Sequence, residues 1–521
     1  MRVTLVFPNF DAPLGVSIGL SYVAASLQAA GHAVAAIHVT EQLGYAYDFE
    51  RVMADIEASR PGLVGIGCGF NHYPEMRRVA EAVETRLAAP VVLGGVHATL
   101  NADRVLEENP RLSYVNVGEG EASMTELADA LEKGRDTTRI ANVQARVAGR
   151  IHRNRVRPFA DLSALPPMAT DIWEFQRVID LRRGWVNVSS QRGCPYRCTY
   201  CHNNGLASLY SRETGVPSAN NAALGFLRYR APRPMVDELK GIRDRYDMQA
   251  FSFIDDTFTM NPPWLFRLLD LYRDEVGVPF VCNTTAVNLD EDIVGRLAGA
   301  GCRLVRMGVE SGSVRLRSQL MKRPFPESKI RWAFREVQRA DMQALAFNMI
   351  GNVGETRDET LETFRFNASL RPTSMKLSLV HPYPGTEYED VARRENAVDP
   401  SRSAHNFIES SILRRGPEEA LWLDKVRTFY FWYVNRFLEN EAAPIYAKLV
   451  ADLEALDEGK WADEDTRRGL WDRHHETSAA LQSRSVDHYT APFPERPDLT
   501  VSALVAMSRG EIIRRERADP H

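Results

Sequence analysis

The chain has 521 residues, 44% of them hydrophobic and 9% aromatic, with 64 Lys and Arg against 69 Asp and Glu for a net charge of −5. At roughly 150 residues per domain that is about three domains, which excludes a single small binding module, and the mild acidity gives no electrostatic footprint for a nucleic-acid partner, so none is expected. No uncharged apolar run approaches the ~18 residues of a membrane span, and Met1-Arg2 leads into Val3-Thr4-Leu5-Val6-Phe7, too short for a signal-peptide core, so a cytoplasmic protein is expected.

From residue 1 to 147 short apolar runs (Val3–Phe7, Val34–Ile37, Leu63–Ile66, Val91–Leu93, Tyr114–Val117) alternate with helix-forming stretches such as Gly19–Ala30 and Tyr73–Leu87. Strand–helix–strand repetition predicts an α/β domain built on a doubly wound parallel sheet. Between 148 and 183 regularity fails, and Arg157–Pro167 carries prolines that lack N–H donors, so a linker is expected. From 184 to 390 strand-like runs return at Val186–Ser189, Ala250–Ile254, Phe280–Thr284, Leu304–Met307, Leu345–Met349 and Met375–Leu379, with helical stretches between them. Six such units predict an open or closed βα barrel. Residues 391–521 read as a helical domain with helices over Leu421–Glu439 and Ala442–Leu456, in which Phe429, Phe431, Trp432, Val434 and Phe437 are expected to form a packed core.

Of six cysteines, Cys68, Cys282 and Cys302 stand singly in apolar surroundings, whereas Cys194, Cys198 and Cys201 fall within eight residues, directly after the predicted strand Trp185–Ser190. A disulfide framework does not explain that distribution in a long chain of this class. Thiolates spaced four and three apart on one loop converge on a soft metal centre, and three of them leave a four-site centre one ligand open. Structural zinc takes four closed ligands, and only His202 lies adjacent as a fourth.

The C-x3-C-x2-C spacing with Tyr200 just before the third cysteine resembles the signature of the radical S-adenosylmethionine superfamily. The resemblance implies a partial (βα)6 barrel with a [4Fe–4S] cluster on Cys194, Cys198 and Cys201, its unique iron chelated by the methionine end of S-adenosylmethionine. It extends through Asp255 and Asp256, suited to the substrate ammonium, with helix capping as the alternative for one of them. Glu310 and Ser313 in Gly308–Ser313 and Asn283 on the third barrel strand fall where the family holds S-adenosylmethionine, Glu310 suiting the ribose hydroxyls. Arg323 falls where a cation meets the carboxylate, with a solvated Lys322-Arg323 pair as the alternative. Gly351–Thr356 and His381–Thr386 resemble family turns at the barrel rim, with Val353 in place of the usual proline.

Three glycine-containing loops, Gly67–Asn71, Gly94–His97 and Gly118–Glu121, follow adjacent predicted strands of the first domain, at the carboxyl ends where open α/β sheets bind ligands. With Gly15 and the helix from Gly19, this order resembles the cobalamin-binding domain of cobalamin-dependent radical S-adenosylmethionine enzymes. The resemblance implies cobalamin contacts at Gly15, Gly69, Asn71, Gly94, Gly95, His97, Gly118 and Glu119. There is no D-x-H-x-x-G motif, so cobalamin is expected with its base displaced and no histidine on cobalt; His97 would be a wall of the pocket or a plain loop residue.

The family resemblance implies a C-methyltransferase acting on an unactivated carbon of a small specialised metabolite, through a 5′-deoxyadenosyl radical and methylcobalamin. It also implies an external flavodoxin- or ferredoxin-type electron donor. The same cofactors allow radical ring contraction, cyclisation or oxidation without methylation. A non-enzymatic cobalamin-binding or electron-transfer protein is a third reading, against which stand the three cysteines, since electron-transfer clusters normally have four protein ligands. No catalytic side chain is assigned beyond the cluster ligands, and the insert Asn203–Leu227 and the C-terminal helices are expected to wall the substrate cavity.

Overall fold

In the computed structural model, which describes residues 1–217, 221–402 and 411–490, the first five apolar runs become parallel strands. These are β1 (Arg2–Pro8), β2 (Ala33–Val39), β3 (Leu63–Gly67), β4 (Val91–Gly94) and β5 (Tyr114–Asn116). Two more strands, β6 (Val143–Val147) and β7 (Arg150–His152), add an antiparallel edge, giving the order β2-β1-β3-β4-β5-β6-β7. The hairpin carries β7 into the stretch expected to be linker. Ala148 and Gly149 both take positive φ (49° and 76°), the conformation of a two-residue hairpin turn, and three residues with one apolar member carry no periodic signal.

The strands are apolar without alternation because helices cover both faces. On one face Val6, Ile37, Val64 and Ile66 pack with Val52, Ile56, Met76 and Val79 of the helices Phe49–Ser59 and Tyr73–Ala82. On the other, Val3, Leu5 and Val92 pack with Val23, Leu27 and Leu127 of the helices Ile18–Ala29 and Glu121–Glu132. Ser17 and Asp48 start two of these helices by accepting from Leu20 N (3.2 Å) and Arg51 N (2.7 Å). Because β2 and β3 lie on opposite sides of β1, the strand order reverses there and opens a crevice at the carboxyl ends of β1 and β3.

The barrel strands follow as expected. β8 (Trp185–Val188) pairs in parallel with β11 (Ala250–Phe253), and between them in sequence β9 (Gln191–Arg192) and β10 (Arg228–Tyr229) form a short antiparallel ribbon. β12 (Phe280–Thr284), β13 (Cys302–Glu310), β14 (Gln343–Ile350) and β15 (Ser374–Leu379) pair in parallel in chain order. The fold is thus α/β, a doubly wound sheet followed by the six parallel strands of a partial barrel and then helices.

Among the C-terminal helices, Pro417–Asn435 kinks at Phe429 (φ −120°, ψ 31°). Phe429, Phe431, Trp432 and Val434 are buried with Trp471 and His474 around them, while Phe437 lies half-buried under Arg365 and Arg436. Residues 491–521 of the expected helical domain, 403–410, and 218–220 of the insert lie outside the described residues. No helix of the described residues is long and apolar enough to cross a membrane.

Two compact units emerge, one of Met1–Phe258, Asp270–Val278 and Tyr383–Asp390, the other of Thr259–Leu269, Pro279–Pro382 and the described residues from Val391 on. The division falls after β11 and not at the expected linker. That stretch packs back on the helix Ile18–Ala29: Ala169 N donates to Ser21 O (3.1 Å) and Trp173 Nε1 to Ser21 Oγ (2.8 Å). Tyr22 Oη of the same helix donates to Glu238 Oε1 (2.9 Å) on the helix Pro232–Arg245.

Candidate cofactor site

The cysteine loop begins with a turn built from both of the first unit's barrel strands. β8 runs on into Ser189-Ser190, and Asp255, two residues past β11, ties that turn: its Oδ1 accepts from Ser190 N (2.8 Å), Gln191 N (2.8 Å) and Ser189 Oγ (3.0 Å), its Oδ2 from Ser190 Oγ (2.9 Å). Burial pushes the Asp255 carboxyl up to about 6 in spite of these hydrogen bonds. Expected against a substrate ammonium, Asp255 is instead spent on the backbone that carries the cysteines. Asp256 beside it is exposed at the residue level, yet loss of water around its carboxyl raises its pKa against a hydrogen bond accepted from Asn203.

After β9, Gly193 takes φ +86°, and a Cβ there would stand 2.2 Å from Phe226 O, so only glycine lets the chain leave the ribbon toward Cys194. Cys201 N donates to Cys198 O (3.1 Å), and the helix His202–Thr214 starts directly behind Cys201. From the far end of the unit, Tyr388 N donates to Thr199 O (2.9 Å). Burial pushes Cys194 up to about 11 and Cys201 to about 12, with Asp256 and the sibling thiols adding to it. The three thiols are close enough to feel one another's charge.

A single zinc ion would need the sulfurs closer together than they stand. Zinc at ~2.3 Å from each sulfur brings the sulfurs within about 4 Å of one another. Among the described residues, the one set of three His, Cys, Asp or Glu ligand atoms all within 4.8 Å is His32, Asp129 and Glu132, so the thiols are spread more widely. His202, the fourth ligand zinc would need, stacks its ring on Phe70 (4.8 Å, 24°) and packs against Tyr383 (4.7 Å). Three soft donors, widely spaced and one short of closure, fit an iron–sulfur cubane with an open iron. Tyr200 is half-buried immediately before Cys201.

In the same unit, a cavity of about 400 Å³ opens at the crevice between β1 and β3. Its inner wall is apolar (Leu5, Ile66, Val92, Met124) with glycines at 65 and 67, and its mouth is formed by Gly69, Gly94, Gly95, Gly118, Glu119 and Gly120 together with Ser189–Arg192. A Cβ on Gly65 would come 2.9 Å from Leu5 Cδ2 and 3.2 Å from Met124 Cε, so the missing side chain keeps the wall open. An apolar slot with a glycine rim fits the base and corrin edge of a cobalamin. The slot and the run leading into Cys194 share one cavity.

Three of the residues expected to contact cobalamin, His97, Gly15 and Asn71, do not line this cavity. His97 packs its ring against Tyr73 (4.1 Å) and Phe70 (5.0 Å), and the preceding Val96 takes the cavity wall; burial pushes the imidazole down to about 4, which keeps it neutral. Gly15 abuts Arg182 and Asn187, and Asn71 Nδ2 reaches His72 Nε2 (3.1 Å). Ser17, Leu20, Tyr22, Leu162, Leu165 and Arg230 line the cavity without having been expected there. The Gly65-x-Gly67 spacing inside a strand was the signal in the sequence for the slot itself.

In the second unit, Glu310 and Arg323 come together at the end of β13. Glu310 takes φ +67° and folds its carboxylate back over Gly308, where a Cβ would stand 2.2 Å from Glu310 Oε1. Arg323 Nη2 donates to Gly308 O (3.1 Å) and Nη1 lies 3.9 Å from Glu310 Oε1. Ser313 does not join them: its hydroxyl donates to Glu359 Oε1 (2.9 Å), which also holds Arg315. Asn283 is in register with Arg306, four residues short of Glu310 along β13.

Known families match both halves of this arrangement. Residues 12–128 match the B12 binding domain and residues 188–366 the Radical SAM superfamily. The chain carries a B12-binding domain and a radical SAM domain. An uncharacterized methyltransferase of Pyrococcus horikoshii is 23% identical over 433 residues, 79% of this chain and 90% of the relative. An anaerobic magnesium-protoporphyrin IX monomethyl ester cyclase of Rubrivivax gelatinosus is 22% identical over 459 residues, 85% and 78% of the two chains. The fold is shared with the cobalamin-dependent S-adenosylmethionine radical enzyme OxsB, solved with aqua-cobalamin and S-adenosylmethionine, at a TM-score of 0.64 and 14% identity over 99% of this chain and 80% of that one. In this radical SAM chain the B12-binding match includes the glycines of the cavity rim, and the radical SAM match includes the three cysteines and the Glu310 turn.

Proposed function

We propose that this radical SAM enzyme transfers a methyl group to an unactivated carbon of a small specialised metabolite, with cobalamin held base-off and no histidine on cobalt. The observation that carries the reading is the single cavity whose walls are the cobalamin-type glycine loops on one side and the approach to Cys194 on the other. When bound, the cluster with S-adenosylmethionine supplies a 5′-deoxyadenosyl radical and the cobalamin supplies the methyl group.

On this reading Cys194, Cys198 and Cys201 hold the cluster. Asp256, exposed beside the thiols, accepts from the ammonium of S-adenosylmethionine, with Tyr200 of the same unit as a further contact. Gly69, Gly94, Gly95 and Gly118 admit the corrin edge, while Leu5, Ile66, Val92 and Met124 exclude water from around the displaced base. His97, turned onto Phe70 and Tyr73, supports a cobalt without a histidine. Electrons come from an external flavodoxin- or ferredoxin-type donor.

The cyclase relative favours a second reading, ring contraction, cyclisation or oxidation on the same cofactors without methyl transfer. Anaerobic turnover with methyl-labelled S-adenosylmethionine separates the two. Methylation puts label in the product and yields 5′-deoxyadenosine and S-adenosylhomocysteine together; 5′-deoxyadenosine without S-adenosylhomocysteine sinks it.

A further inference from the structure

Glu119 was expected to touch cobalamin, yet its carboxylate is fully engaged within the protein. Oε1 accepts from Arg192 Nη1 (2.8 Å) and Arg228 Nη2 (2.8 Å), and Oε2 accepts from Arg228 Nη1 (3.1 Å) and Ala160 N (2.9 Å). Burial alone would raise this carboxyl; the hydrogen bonds of Arg228 and the charges of Arg192 and Arg228 outweigh it and hold Glu119 below the usual range. The two arginines face each other in register on the β9–β10 ribbon, and Arg192 stands two residues before Cys194.

The rest of the ribbon repeats the pattern. Arg192 Nη2 also donates to Glu121 Oε1, and its guanidinium lies over the Tyr22 ring (5.6 Å). Arg228 lies over Phe159 (4.5 Å). Arg230, just beyond β10, donates to Tyr22 Oη (2.8 Å) and Glu238 Oε2 (2.7 Å), with both charged side chains under 5% exposed. Two arginines on the ribbon and one just beyond it are thus matched by three carboxylates, two of them on the glycine loop at the cavity mouth. A buried charged network of this kind is costly unless complete, and its directional bonds fix geometry more than they add stability.

We infer that Glu119, gripped by Arg192 and Arg228, is a positioning residue that sets the place of the cluster loop relative to the cobalamin loop. The inference rests on the cofactor reading above. If that reading fails, the wild-type protein holds no cluster or no cobalamin; if only the inference fails, it holds both and the variants below behave like it.

The test uses the full chain reconstituted with iron, sulfide and hydroxocobalamin, reduced so that the cluster and cob(II)alamin are both paramagnetic. Iron and cobalamin content are measured first, then the spin relaxation of cob(II)alamin by the cluster, which depends steeply on their separation. Glu119→Gln is expected to keep both groups and to change the relaxation enhancement severalfold, and Glu119→Asp to restore part of it. Methyl transfer from labelled S-adenosylmethionine to bound cobalamin should be slowed by about tenfold or more, as expected for ångström-scale misplacement. Glu275→Gln, which breaks the Arg233–Glu275 pair in the same unit, should match wild type in every readout. Wild-type relaxation in a fully loaded Glu119→Gln protein overturns the inference. Should Glu119→Gln lose either group, Arg228→Lys, which keeps the charge but not the two-pronged grip, is read in its place; loss of cofactors in both variants overturns positioning in favour of a purely structural role.

Discussion

Asp255 and Asp256 are chain neighbours in different surroundings, one buried and one exposed. Asp255 accepts four hydrogen bonds from Ser189, Ser190 and Gln191, so Asp255→Asn should loosen the turn into Cys194 and lower iron content, whereas Asp256→Asn should keep iron and raise the KM for S-adenosylmethionine. The burial of Asp255 also has a sign in pH. Its pKa of about 6 in the folded chain stands above the ~3.9 of an unfolded Asp, so between those values the folded state binds more protons. The part of stability due to this group is therefore present at acid pH and is lost as pH rises through about 6, by up to about 3 kcal/mol. Denaturant unfolding at pH 5 and pH 7.5 checks it: the difference between wild type and Asp255→Asn should shift in that direction, and a pH-independent difference counts against it. Among the cysteines, Cys198→Ala should abolish cluster loading and cleavage of S-adenosylmethionine; full retention of both sinks the iron–sulfur reading.

At the scale of elements, the site depends on where backbone is bare. Gly193→Ala places a Cβ 2.2 Å from Phe226 O at φ +86°, and the β9–β10 ribbon must open to admit it, so loss of the cluster with the B12-binding sheet intact is expected, read as iron content against cobalamin content. Gly65→Val grows into the slot between Leu5 and Met124; it should abolish cobalamin uptake while iron loading persists, at an overpacking cost of about 1–3 kcal/mol. Retained cobalamin in that variant would show that the base goes elsewhere. The glycine loops are legible in the sequence because each follows an apolar run. Their facing is not, because whether Gly94 and Gly95 meet a cavity while His97 turns to Tyr73 depends on side chains packed from other strands.

For the whole molecule, a ligand that binds only the folded state stabilises it by mass action, about 2.7 kcal/mol at a hundredfold excess over Kd. Hydroxocobalamin should accordingly raise the melting temperature by several degrees, on the order of 2–4 °C per kcal/mol for a unit of this size. An unchanged melt at saturating hydroxocobalamin argues against the slot as its site. Two-strand edges and short helices escaped the sequence reading for a common reason. β6, β7 and the helix Phe175–Leu181 are too short or too polar to show a period, and they are held by pairing and packing with segments already in place.

Local chemistry is carried by the chain order itself: apolar runs at regular intervals dictate a layered α/β fold, and cysteines four and three apart dictate a common ligand, because both depend only on near neighbours in sequence. The duties of charged and polar side chains arise otherwise. Asp255 meets its partners across 64 to 66 residues, Glu119 meets Arg192 and Arg228 across 73 and 109, and Ser313 meets Glu359 across 46. A buried charge takes the partner that packing brings to it, and no window of sequence contains that partner.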